Sequence, residues 1–216
     1  MEIKKLVIIE ELEISKSTII LTEKTKKWCQ LPYEDHKKGC YHYNNNLLCP
    51  PNSPYFEDFI DCYKYFYLIY AIFNFKKYKE LRKEENPDFF NSEARLKCVI
   101  YWQGSVKSSL KRYIKNIYVY NYGDTHNFYL LGCGSGFNNK IFNKFQQSIY
   151  SMESVGIDVF RTLRTNRIDY EFKPVDKVVL VCLLCSKIEI MKGNRSEIYK
   201  LNRIEDIYEK YDNKKV

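Results

Sequence analysis

Residues 54–83 read PYFEDFIDCYKYFYLIYAIFNFKKYKELRK, and how this stretch is read decides the fold. Phe56, Phe59, Ile60, Tyr63, Phe66, Tyr67, Tyr70 and Phe73 recur at three- and four-residue steps, the spacing of one helix face. Leu68, Ile69 and Ile72 make the middle apolar nearly all round. The spacing therefore predicts a deeply buried helix from Pro54 to about Lys83. Ser53 supplies a cap and Pro54 a first helical residue. Asn86-Pro87 ends the segment.

Downstream, a second long helix is predicted over Ser92–Ile117, with Val99, Trp102, Val106, Leu110, Tyr113 and Ile117 as its stripe. Asn121–Asp124 reads as a turn. Asn127–Leu131 reads as a strand, Ile141–Ile149 as a short helix and Met152–Arg164 as another. Val178–Val181 is a strong buried strand, and a charged helical tail follows from Ser196. Upstream, Lys4–Ile14 and Thr18–Leu21 predict two short strands. Strands and helices alternate over the second half, so the predicted class is α/β: a mixed sheet with flanking helices. One domain over 1–216 is expected, with a cysteine-bearing loop (24–54) on an α/β body and the tail at 196–216.

The 216 residues carry a formal charge of +8, and 45% are hydrophobic, enough for a core. Tyr (20) and Phe (13) predict that this core is rich in rings. A positive balance permits a nucleic acid or another polyanion as partner. MEIKKLVIIEELEISK has charges inside its apolar run, unlike a secretory signal. No uncharged apolar stretch is long enough to span a bilayer. A cytoplasmic setting is the expectation, and there thiols stay reduced. The eight cysteines then read as metal ligands or catalysts before they read as disulfides.

Three of the eight lie in Trp28–Pro51, WCQLPYEDHKKGCYHYNNNLLCPP, a stretch with neither helical nor strand period. Cys29, Cys40 and Cys49 are spaced C-x10-C-x8-C. So polar a loop needs something to pin it, and thiolates around a soft metal would do so. With a histidine, His42 before His36, the set suits zinc. Three thiolates alone suit a four-iron cluster with one iron open to substrate. A proline-braced loop with incidental thiols is the plain alternative.

Gly132-Cys133-Gly134-Ser135-Gly136 ends a predicted strand. Gly132, Gly134, Ser135 and Gly136 are candidate substrate-binding residues, because such a backbone can approach an anion closely. The same spacing fits a tight strand-to-helix turn. Cys133 is a candidate fourth ligand or reactive thiol. Cys182 and Cys185 lie three apart in a strand and so face opposite ways, which favours core cysteines over one shared ion. Glu153, in SMESVGIDV, is a candidate general base, or simply an acid at a helix start. Arg161, Arg164 and Arg167, with Lys107, Lys111, Arg112 and Lys115, form basic helix faces that would bind a nucleic-acid backbone or else be merely solvated.

Trp28-Cys29, Gly39-Cys40, Cys49-Pro50-Pro51 and Ser151-Met-Glu-x-x-Gly-Ile-Asp-Val159, in that order, resemble domain-of-unknown-function family 2284, the predicted metal-binding proteins. The resemblance covers about Trp28 to Cys185. It implies metal or iron–sulfur binding through the cysteines. It also implies a second cysteine group just before the SMExxGIDV segment, where this chain keeps only Cys133. The expected function is metal binding at one zinc or iron–sulfur site, with redox or sulfur-handling chemistry on a small-molecule or protein partner. An RNA or acidic-partner binding module with a merely structural loop is the alternative.

Overall fold

Tyr65–Asn74 (β2) is a ten-residue strand in the middle of the sheet. Its side chains are buried on both faces: Tyr67, Ile69, Ala71 and Phe73 enter one core cluster, Phe66 and Leu68 the other. A strand covered on both sides has no polar face, so its apolar run also satisfies three- and four-residue steps. The helix expected over Pro54–Lys83 is thereby corrected. Short 3-10 turns at Phe56–Asp58 and Ile60–Cys62 lead into β2. Only Phe75–Glu85 (α2) is helical, and it starts where the Asn74 side chain accepts the Lys77 N–H.

A computed structural model of the protein describes residues 2–32, 37–121, 127–134, 137 and 149–190. The predicted helices at 141–149 (but for Ile149) and 196–216, the turn at 122–124, and His36, Ser135 and Gly136 lie outside these residues.

Val7–Ile14 (β1), β2, Phe128–Leu131 (β3) and Lys177–Ser186 (β4) form one sheet in the order β1-β2-β4-β3, every neighbouring pair antiparallel. With its flanking helices this is the α/β arrangement expected. Side-chain alternation sorts the core. Cys182 and Leu184 join Phe128 and Leu130 on the face covered by Gln103–Tyr120 (α4), through Val106, Leu110 and Ile114. Cys185, Val181 and Leu183 join Leu131 on the other face, with Met152, Val155, Ile157 and Leu163. The two cysteines of the C-x-x-C therefore belong to different cores.

Three further expectations are corrected. The helix predicted over Ser92–Ile117 is broken into Glu93–Lys97 (α3), a 3-10 turn at Val99–Tyr101, and α4. The helix predicted over Met152–Arg164 is a 3-10 turn, Glu153–Val155, followed by Val159–Thr165 (α5). Gly156, at φ +97°, stops the first. Asp158 caps the second by accepting the Arg161 N–H at 3.0 Å. Of the two N-terminal strands, only the first forms. Ile19 packs into the core, while Leu21 makes a single bridge to Ile157.

Candidate metal centre

A short helix, Lys24–Trp28 (α1), delivers Cys29 at its C-terminal cap. The chain then returns so that the Cys40 N–H donates to the Cys29 carbonyl at 2.7 Å. Gly39 makes this return possible. Its φ is +79°, and a Cβ there would lie 2.5 Å from the Cys29 carbonyl oxygen. Cys49 sits at the far end of the loop, in a turn whose N–H donates to Asn46 and whose carbonyl accepts from Asn52 and Ser53. The Pro50–Pro51 peptide that follows is cis.

Three segments meet through one lysine and one serine. The buried Lys26 of α1 donates Nζ to the Ser53 carbonyl and lies 3.7 Å from the centre of the Tyr55 ring. The buried Ser53 hydroxyl donates to the Ser154 carbonyl at 2.6 Å. Helix α1, the Cys49 turn and the Glu153–Val155 turn are thus tied together, which sets Glu153 beside the cysteine loop. Neither bond can be read from spacing, because the partners lie 27 and 101 residues apart.

The thiols share one electrostatic neighbourhood. Burial pushes the Cys29 thiol up, and Cys40, Cys49 and Glu153 push it further. Burial and then Cys40 do the same to Cys49. Negative charge on Cys40 and Cys49 disfavours the Cys29 thiolate, a repulsion that a cation would reverse. Among the described residues, no three His, Cys, Asp or Glu side chains stand close enough together to hold an ion as they lie. His42 is exposed, its ring edge-on to Tyr41.

Glu153 supplies a second mark. Its Oε2 is sealed from solvent and has no hydrogen-bond partner. Burial holds the carboxyl above the usual carboxylate range, although its own N–H, the Ser151 hydroxyl and Lys107 oppose this. A buried acceptor without a donor is costly, and a cation at the neighbouring thiols would satisfy it. The sign of the pH effect follows. A carboxyl raised by folding weakens the fold above its folded pKa, and the penalty vanishes below its unfolded value. Glu153→Gln is expected to stabilise metal-free protein at pH 8 by about 1 kcal/mol, or 2–4 °C in Tm. Thermal melts at pH 8 and pH 4 check this; the gain should disappear at pH 4.

Cys133 meets another thiol, and Glu153 acts electrostatically on that thiol as it does on Cys29. The Cys133 sulfur contacts Cys182, whose thiol burial pushes well up. Lys111 is beside both, and burial lowers its pKa. The Gly132 N–H donates to the Tyr150 carbonyl at 2.8 Å, and the Gly132 carbonyl accepts from Met152 at 3.1 Å. That N–H therefore belongs to the strand end and not to a bound anion. Gly134 has φ +62° and open space where a side chain would be. A cleft of about 290 Å³ opens between Thr22–Glu23, Tyr55–Asp58 and Val155–Gly156, and no thiol lines it.

The sequence profile of one family, Predicted metal-binding protein (DUF2284), matches residues 13–185. No curated protein and no solved structure matches the chain.

Proposed function

The chain belongs to the DUF2284 family of predicted metal-binding proteins, and from that premise we propose that Cys29, Cys40 and Cys49 hold one soft cation, as zinc or as an iron–sulfur cluster. One observation supports the reading: Cys40 and Cys49, distant in sequence from Cys29, both bear electrostatically on its thiol, beside a buried Glu153 oxygen with no hydrogen-bond partner. Thiolates select zinc and iron–sulfur clusters over hard cations. Binding would deprotonate the thiols.

Three protein thiolates leave one coordination position for a substrate or for Glu153. A bound metal would supply Lewis acidity or electron transfer there. The chain's own groups do the rest. Lys26 and Ser53 hold the loop to the Glu153 turn, and Glu153 offers a carboxyl of raised pKa that can take or give a proton. A redox or sulfur-handling reaction at that position is the finer reading.

Anaerobic purification with iron, sulfide and zinc assays tests the proposal. About one zinc or one cluster per chain is expected, falling below a tenth of that in Cys29→Ser and Cys49→Ser. Proton release on titrating zinc into metal-free protein gives a readout independent of activity. A folded wild-type chain that holds only trace metal and takes up none would sink the idea.

A further inference from the structure

On the α5 side of the molecule, three rings touch at the surface. Phe160 lies 5.3 Å from Tyr170 and 5.1 Å from Phe172, with interplanar angles of 37° and 59°. Phe172 is 72% exposed and Phe160 40%. Lone exposed apolar residues are ordinary, but here Phe160 joins Phe172 and the half-buried Tyr170 into one platform. The local chain path builds it. Helix α5 carries Phe160, and at its end Arg167 adopts φ +57°. The chain then turns back through the buried Ile168 to bring Tyr170 and Phe172 alongside.

Cations flank the rings. Arg161, Arg164, Arg167 and Lys173 are all exposed. The Arg164 guanidinium donates to the Tyr170 hydroxyl at 3.4 Å. Among the described residues, none of the three arginines has a carboxylate partner. Two nearby acids are already engaged: Asp169 pairs with Lys177, and Glu171 accepts the N–H groups of Val175 and Asp176 at 2.6 and 3.0 Å. Asp176 is the remaining exposed acid. A groove of about 480 Å³ runs past Arg164, Arg167, Ile168, Asp169, Tyr170 and Phe172, and its one carboxylate, Asp169, is the one paired with Lys177.

We propose that this surface binds single-stranded nucleic acid, with bases stacked on Phe160, Tyr170 and Phe172 and phosphates held by Arg161, Arg164 and Arg167. Planar arginine forks match phosphate oxygens. Exposed rings accept any unpaired base, because every base has a stacking face. The proposal does not depend on the metal centre.

Fluorescence anisotropy of the full chain with fluorescein-labelled twelve-nucleotide strands of uridine and of thymidine tests it. Binding is expected to weaken about 20-fold from 50 to 200 mM salt, the slope for three phosphates at about 0.7 each. Arg164→Ala with Arg167→Ala should reduce that slope by about 1.4. Phe172→Ala should weaken binding about tenfold and leave the slope unchanged, with Phe172→Leu close behind. These side chains are exposed, so thermal melts should move little. Lack of binding at 50 mM salt would overturn the proposal. So would binding unaffected by these variants, or equal binding to a duplex of the same length. It would also fall if the variants reduced adhesion only to vesicles of phosphatidylcholine and phosphatidylserine.

Discussion

Phe73→Ala is expected to lower the stability of the protein by about 3–5 kcal/mol, or about 10 °C in Tm. Phe73 sits at the end of β2 with no exposed surface. Its ring stacks on Trp102 at 5.4 Å and 23°, and meets Tyr78 at 5.4 Å and Phe75 at 6.0 Å. Removing it takes one member from a cluster that joins the sheet to α2 and α4, and rings fixed on three sides cannot collapse into the space. Ile8 on β1 is the internal control. It is 58% exposed, so Ile8→Ala should cost no more than about 0.5 kcal/mol. Equal melts for the two variants would mean that β2 does not carry the core.

The second large effect is local. Gly39→Ala is expected to reduce metal content to less than a tenth of wild type and to lower Tm by about 2–8 °C. The added Cβ would meet the Cys29 carbonyl oxygen at 2.5 Å and Gln30 backbone atoms at 2.8 and 2.9 Å. These are backbone atoms and cannot swing aside. The left-handed φ adds about 1–2 kcal/mol of strain. The return of the chain would open, and the Cys40 N–H would lose the Cys29 carbonyl. Gly104→Ala, in the first turn of α4 with nothing within 4 Å of the new methyl, should stabilise by about 0.5–1 kcal/mol and leave metal content unchanged. A Gly39→Ala protein that retains its full metal would show that the Cys29–Cys40 closure is not what positions the ligands.

Parts of the architecture are plain in the sequence and parts are hidden for definite reasons. Val178–Val181 reads as a strand because β-branched residues dominate it, and it lies within β4. Tyr65–Asn74 misleads because burial on both faces erases the two-residue alternation that marks a strand. Its β-branched and aromatic content and the Asn74 cap were the usable signals. The SMESVGIDV segment reads as a continuous helix until Gly156 and Asp158 are taken together, one a stop and the other a start. That Cys29, Cys40 and Cys49 share one loop is legible, since a stretch with no period of its own holds all three. The braces from Lys26 to Ser53 and from Ser53 to Ser154 are not legible. Nor is the meeting of Cys133 with Cys182, because contacts across such distances leave no trace in local spacing. The rings of Phe160, Tyr170 and Phe172 come together only through the turn at Arg167.

The strand order has a consequence for synthesis. β2 takes hydrogen bonds on one side from β1, which precedes it, and on the other from β4, whose residues begin at Lys177. While the chain emerges from the ribosome, one whole edge of β2 waits without a strand partner over some hundred residues of translation. Sheet closure of this kind is slow and leaves the growing polypeptide prone to sticking. Chaperone demand should therefore peak late, and a chain stopped just before β4 should accumulate in inclusion bodies while the full chain stays in solution.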